Sequence, residues 1–107
     1  MVPDYLVIGH VTKDLLPDGG FTLGGTATYS ALAAHRLGLQ VGVLTSTEPS
    51  LAIFDDVSHN SHVVLVERRS AASTTTFENI YTPDGRKQYV RAVASVLTND
   101  DLPVSWR

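Results

Sequence analysis

Tyr5-Leu6-Val7-Ile8 is a continuous apolar run closed by Gly9. A run of this kind predicts a strand buried on both faces. From His10 to Gly20 the apolar residues thin out, and Pro17-Asp18-Gly19-Gly20 supplies turn chemistry. That stretch reads as a loop. Phe21-Thr22-Leu23 reads as a brief edge strand. The period then changes. Ala27, Ala31 and Ala34 recur at helical spacing, with Thr28, Leu32 and His35 beside them. The spacing predicts a helix over about 26–37, with Thr26 as its N-cap and Gly38 as the residue that ends it. A stripe of alanines lets such a helix lie close to a sheet. Leu39 to Thr45 predicts a second strand, centred on Val41-Gly42-Val43-Leu44. Strand, helix and strand in this order make a βαβ unit with parallel strands.

The second half has another rhythm. Pro49 to Val57 could hold a short helix, and His62 to Glu67 is a strand candidate. Thr74 to Tyr81 and Lys87 to Val93 read as two strands of an antiparallel hairpin. Thr82-Pro83-Asp84-Gly85-Arg86 joins them, turning at Asp84-Gly85. Asn99-Asp100-Asp101-Leu102-Pro103 reads as a loop. The fold class is α/β: a βαβ unit over 1–46, then strands and a hairpin over 62–93. Two parallel strands are too few for a finished α/β sheet, so the architecture reads as partial.

Composition narrows the function classes. With 107 residues the chain is one domain at most, and 43% apolar and 18% charged residues suit a globular one. The net charge of −3 and only two short basic pairs, Arg68-Arg69 and Arg86-Lys87, argue against nucleic acid as a partner. No cysteine is present, which removes disulfides, thiol catalysis and cysteine zinc sites. No basic leader and no long apolar run stand out, so the cytoplasm is the expected location and a membrane is not an expected partner.

Two places carry candidate chemistry. Gly24-Gly25 opens the helix, where glycines let backbone come close to a ligand and free N–H groups can bind an anion or a hydroxyl oxygen. No Gly-Lys-Ser/Thr follows, so this is not a Walker-type loop. The pair stands too far from the first strand for a dinucleotide fingerprint. Asp14 lies a few residues past the first strand, where α/β sheets place ligands, and a carboxylate can accept hydrogen bonds from two neighbouring hydroxyls. Each also has a plainer reading, as a tight turn and as an exposed loop carboxylate. His59 and His62 stand three apart but read as loop entering strand with no third ligand, so no metal site is expected. His35 reads as a packing residue, and His10 could reach a ligand only through its position.

Taken in order, Tyr5-Leu6-Val7-Ile8-Gly9-His10, Asp14, Gly24-Gly25-Thr26-Ala27-Thr28-Tyr29-Ser30-Ala31 and Arg36-Leu37-Gly38 resemble the opening of the ribokinase-like (PfkB) carbohydrate kinases. The hairpin with Thr74-Thr75-Thr76-Phe77 and Asp84-Gly85 resembles the β lid of that family. The resemblance implies that Asp14 grips sugar hydroxyls and that Gly24 and Gly25 line the sugar pocket near a lid hinge. Tyr29 stands about where the family has an asparagine, which implies a substrate contact of different chemistry. Ser46-Thr47-Glu48 replaces the family's Gly-x-Asp. The family's Gly-Ala-Gly-Asp run, with the catalytic base and the phosphate-holding glycines, has no counterpart here, so no catalytic residue is expected.

The resemblance thus implies the N-terminal, acceptor-binding part of an ATP-dependent kinase of a sugar, polyol or nucleoside. ATP and Mg²⁺ would serve the intact enzyme, with no cofactor held by these residues. A homodimer through the lid-like strands is a further implication. The alternative is a non-catalytic small-ligand-binding or assembly module derived from the same fold.

Overall fold

The computed structural model describes residues 2–54 and 64–107. Its elements in chain order are β1 (Tyr5–Ile8), β2 (Thr12–Leu15), β3 (Phe21–Gly24), α1 (Gly25–Arg36), β4 (Val41–Thr47), β5 (Val64–Ser70), β6 (Thr76–Thr82) and β7 (Gly85–Ala92), followed by short 3-10 turns at Asn99–Asp101 and Val104–Trp106. The strands form two sheets. One is parallel with order β1-β4-β5, and the other is mixed with order β3-β2-β6-β7.

The βαβ unit has the expected parallel pairing, Tyr5 opposite Val41 through Ile8 opposite Leu44. Helix α1 covers one face of the parallel sheet. Ala27, Thr28, Ala31 and Ala34 are buried, and Val7, Val41 and Val43 lie in the same core. The alanine stripe therefore does what its size allows: it brings the helix backbone close to the strands. Over the other face runs the C-terminal segment. At Gly42 any added Cβ would stand 2.8 Å from Pro3 and 3.1 Å from Trp106, so only glycine fits beneath them.

Helix α1 starts one residue earlier than the spacing suggests. Gly24, not Thr26, is the N-cap, and no side chain caps the helix start. The chain enters α1 directly from β3, which leaves no loop residue to act as a cap. The C-terminus follows the expectation. Gly38 has φ +85°. Its N–H donates to the His35 carbonyl, and the Leu39 N–H donates to that of Ala34. This is the Schellman pattern, in which glycine takes a left-handed conformation at little cost.

Several expectations are corrected. β1 is not buried on both faces: Tyr5 is 43% and Ile8 56% exposed. It lies at the edge of its sheet, and β4 in the middle takes the fully buried role. Residues 10–20 are not one loop, because Thr12–Leu15 forms β2 and pairs with β3. The parallel core has three strands, since β5 joins β4 over its whole length. The candidate strand at 62–67 thus belongs to the parallel sheet rather than with the hairpin, and its first two residues lie outside the described ones. Residues 49–54 form no helix, and the rest of that candidate helix is also outside. The stretch 99–103 contains a 3-10 turn.

The hairpin is present. β6 and β7 are antiparallel, and Thr82 opposite Gly85 leaves Pro83-Asp84 as the two-residue connection, one position before the expected turn. β2 attaches to it in parallel, placing Asp14 beside Phe77.

Candidate functional site

The two sheets meet where the chain passes from one to the other: Gly9–Val11, Gly24–Gly25 and residues 71–75. Hydrogen bonds lock this junction. The Val11 N–H donates to Thr45 Oγ1 at 2.9 Å. The Lys13 N–H donates to the Thr75 carbonyl at 2.9 Å. Glu48 and Thr74 exchange two bonds: the Glu48 N–H donates to Thr74 Oγ1 at 3.0 Å, and the Thr74 N–H donates to Glu48 Oε1 at 3.2 Å. Lys13 Nζ adds an ion pair with the Glu48 carboxylate at 3.3 Å. The Thr74 backbone N–H, and after it Lys13, hold the Glu48 carboxyl below its ordinary range.

Asp14 sits on β2, opposite Thr22 on β3. The Thr12 hydroxyl donates to its Oδ1 at 3.0 Å. Its carboxylate stands against Gly24 so closely that an added Cβ there would lie 2.1 Å from Oδ2. Gly25 has φ +85°, and an added Cβ would meet the His10 carbonyl at 2.8 Å. Each glycine therefore serves a close approach: Gly24 admits the Asp14 carboxylate, and Gly25 admits the backbone leaving β1.

An open cleft of about 610 Å³ lies at this junction, beside β1 and the first turns of α1. Gly9, His10, Thr12, Gly25, Thr26 and Thr75 are among the residues that line it. Of the residues singled out in the sequence, Asp14, Gly24 and Gly25 come together, and Gly25 lines the cleft. Asp14 and Gly24 stand behind its wall, joined to it through Thr12. Tyr29 does not reach it. Tyr29 is 63% exposed on the outer side of α1, because the buried face belongs to Ala27, Thr28 and Ala31. Ser30 lines the cleft instead.

His10 and Thr75 were not assigned to a site from the sequence. His10 Nδ1 lies 3.0 Å from Thr75 Oγ1. A partial signal was available, since His10 follows the strand-closing Gly9. Thr75 carried none, because a threonine run reads as strand propensity. His59 and His62 lie outside the described residues. Among the described residues no group of three His, Asp or Glu could hold a metal ion, and α1 is the only α-helix.

No protein-family model matches the sequence, and no curated protein is significantly similar to it. Solved structures are. A pyrophosphate-dependent kinase in the ribokinase family, determined as a sulfate complex, matches with TM-score 0.67 and 25% identity over 91% of this chain and 36% of its own. A pyrophosphate-dependent kinase of that family, complexed with a pyrophosphate analogue and myo-inositol, matches with TM-score 0.62 and 28% identity over 91% of this chain and 35% of its own. The fold also matches Arabidopsis thaliana ribokinase complexed with ribose and ATP, with TM-score 0.56 and 16% identity over 94% of this chain and 41% of its own. The chain therefore has a partial ribokinase-like fold. It spans little more than a third of the length of the structures it matches.

Proposed function

We propose that these residues form the acceptor-binding part of a cytoplasmic ribokinase-type kinase of a small polyol, sugar or nucleoside. The observation that carries this reading is the meeting of Asp14 with Gly24 and Gly25 where the two sheets join. Asp14 accepts one hydrogen bond from Thr12 and keeps further lone pairs for ligand hydroxyls. Closure of the mixed sheet about the junction would carry Asp14 towards the cleft and shield the acceptor from water. A cyclic polyol is the first candidate, because one of the similar kinases was determined with myo-inositol.

Transfer itself needs a base at the acceptor hydroxyl and a held, charge-neutralised phosphoryl donor. The sequence has no counterpart of the family run that supplies them. The donor is accordingly a partner from outside these residues, ATP with Mg²⁺ or pyrophosphate, and the chain alone is inactive. The exposed β7 edge is available to pair with a second copy.

The test is an amide NMR titration of the chain with myo-inositol, ribose, fructose and adenosine. A productive acceptor should shift Asp14, Gly24 and Gly25. Asp14→Asn should weaken binding at least about tenfold, the scale of a hydrogen bond to a charged group. If saturating amounts of every compound leave those resonances in place, the reading fails.

A further inference from the structure

We infer that His10 is a further acceptor-binding residue, held by Thr75 with its ring proton on Nε2 so that an N–H donor faces the cleft. The inference rests on the acceptor-binding reading above and adds a residue and a polarity to it.

The ring state follows from counting protons at Thr75. Its side chain is nearly buried, at 7% residue exposure, so its hydroxyl must find partners within the protein. Thr75 Oγ1 accepts the Ala94 N–H at 3.0 Å. The hydroxyl then has one proton to place. His10 Nδ1, 3.0 Å away, is the acceptor within reach. A neutral imidazole that accepts at Nδ1 carries its proton on Nε2. The hydrogen-bond network thus assigns the tautomer. The opposite assignment, Nδ1–H to Oγ1, would leave the buried hydroxyl proton without an acceptor.

The position is fixed as firmly as the proton. Thr75 is held through its carbonyl by Lys13 and through its hydroxyl by Ala94. The His10 carbonyl packs close against Gly25, where an added Cβ would stand 2.8 Å from it. The ring therefore sits between both sheets, in the wall of the cleft, and Nε2 has no protein partner among the described residues. Asp14 offers acceptors only, whereas His10 Nε2–H offers a donor. Once closure carries Asp14 to the cleft, the two would suit a vicinal diol, with one hydroxyl oxygen approached by a donor and neighbouring hydroxyl protons taken by a carboxylate.

The experiment uses ¹⁵N-labelled chain and myo-inositol, with ribose as a second probe. Long-range ¹H–¹⁵N spectra should show His10 protonated on Nε2 before ligand is added. Ligand should shift Nε2 along with Asp14 and Gly25. His10→Ala should weaken binding about tenfold, while His10→Gln, which keeps an amide donor near Nε2, should recover much of it. A proton found on Nδ1 overturns the inference with or without ligand. Shifts at Asp14 and Gly25 that leave Nε2 unmoved, or His10→Ala binding as tightly as the parent, overturn it while the acceptor reading stands. If neither probe moves any cleft resonance, the acceptor reading falls and takes the binding role of His10 with it.

Discussion

The two sheets treat their strands in opposite ways. Every residue of β4 is buried, and Val41, Val43, Thr45, Ser46 and Thr47 are fully so. Every residue of β7 except Ala92 is exposed. β4 lies between two parallel partners, under a helix on one face and the C-terminal segment on the other. β7 is an edge, with one partner and neither face covered. The parallel sheet is therefore where mutations should cost stability, and the mixed sheet is where they should change contacts with other molecules. The junction between them belongs to both, and there backbone geometry rather than side-chain burial sets the cost.

The largest effect is expected at that junction. Gly25→Ala forces a side chain into a left-handed backbone conformation and against the His10 carbonyl. Strain and clash together should destabilise the chain by about 3 kcal/mol in chemical denaturation. A loss below about 1 kcal/mol would show that the two segments can separate freely. Next comes the centre of β4. Val43→Ala removes two methyl groups from a site with 0% exposure and should cost about 2 kcal/mol. A cost near zero there would break the contrast between the sheets.

The parts legible in the sequence are those with local causes. The helix ending at Gly38 and the hairpin around Pro83-Asp84 are written in glycine, proline and spacing, so they were read to within a residue or two. β2 was missed because Thr12-Lys13-Asp14-Leu15 has no apolar alternation. It is a strand only because β3 and β6 flank it. β5 was placed with the wrong sheet because nothing local says which neighbour a strand will choose. At the site, Asp14 and the two glycines were legible as a pattern, although their contact is tertiary. Tyr29 lies away from the cleft, and sequence order does not show which side of α1 faces it. Thr75 was illegible because its importance lies in bonds to His10, Lys13 and Ala94, remote in sequence.

A smaller effect tests how the sheets are fastened. The Glu48 carboxyl binds its proton more weakly in the folded chain than in the unfolded one, because the Thr74 N–H and Lys13 favour the charged form. The stability it supplies is complete above its ordinary value of 4.5 and is lost as pH falls through the lower folded value. Asp101 behaves likewise, through the Thr98 N–H first and Arg69 after it, but it lies on the segment behind the parallel sheet. The thermal midpoint should therefore fall between about pH 5 and about pH 3. Glu48→Gln should flatten part of that fall and Asp101→Asn another part. If Glu48→Gln leaves the acid profile unchanged, the ion pair with Lys13 does not help fasten the mixed sheet.

The smallest effect on stability is expected on β7, where it carries the most information about assembly. Val90 is 58% exposed, stands opposite Phe77, and lies on an edge strand with Tyr81 and Ile80 exposed on the neighbouring β6. Replacing it by lysine uncovers no core and leaves no buried polar group unpaired. Val90→Lys should change the unfolding free energy by less than about 0.5 kcal/mol. A lysine on an open edge does, however, oppose pairing with another strand, since its charge must stay in water when the edges meet. If copies of the chain associate through this edge, sedimentation velocity should show the parent with a concentration-dependent dimer and Val90→Lys as a monomer, both equally stable when dilute. A parent that stays monomeric at all concentrations would remove the homodimer reading. A variant that unfolds readily would show that β7 contributes to a core after all, and the division between a buried sheet and an open one would fail.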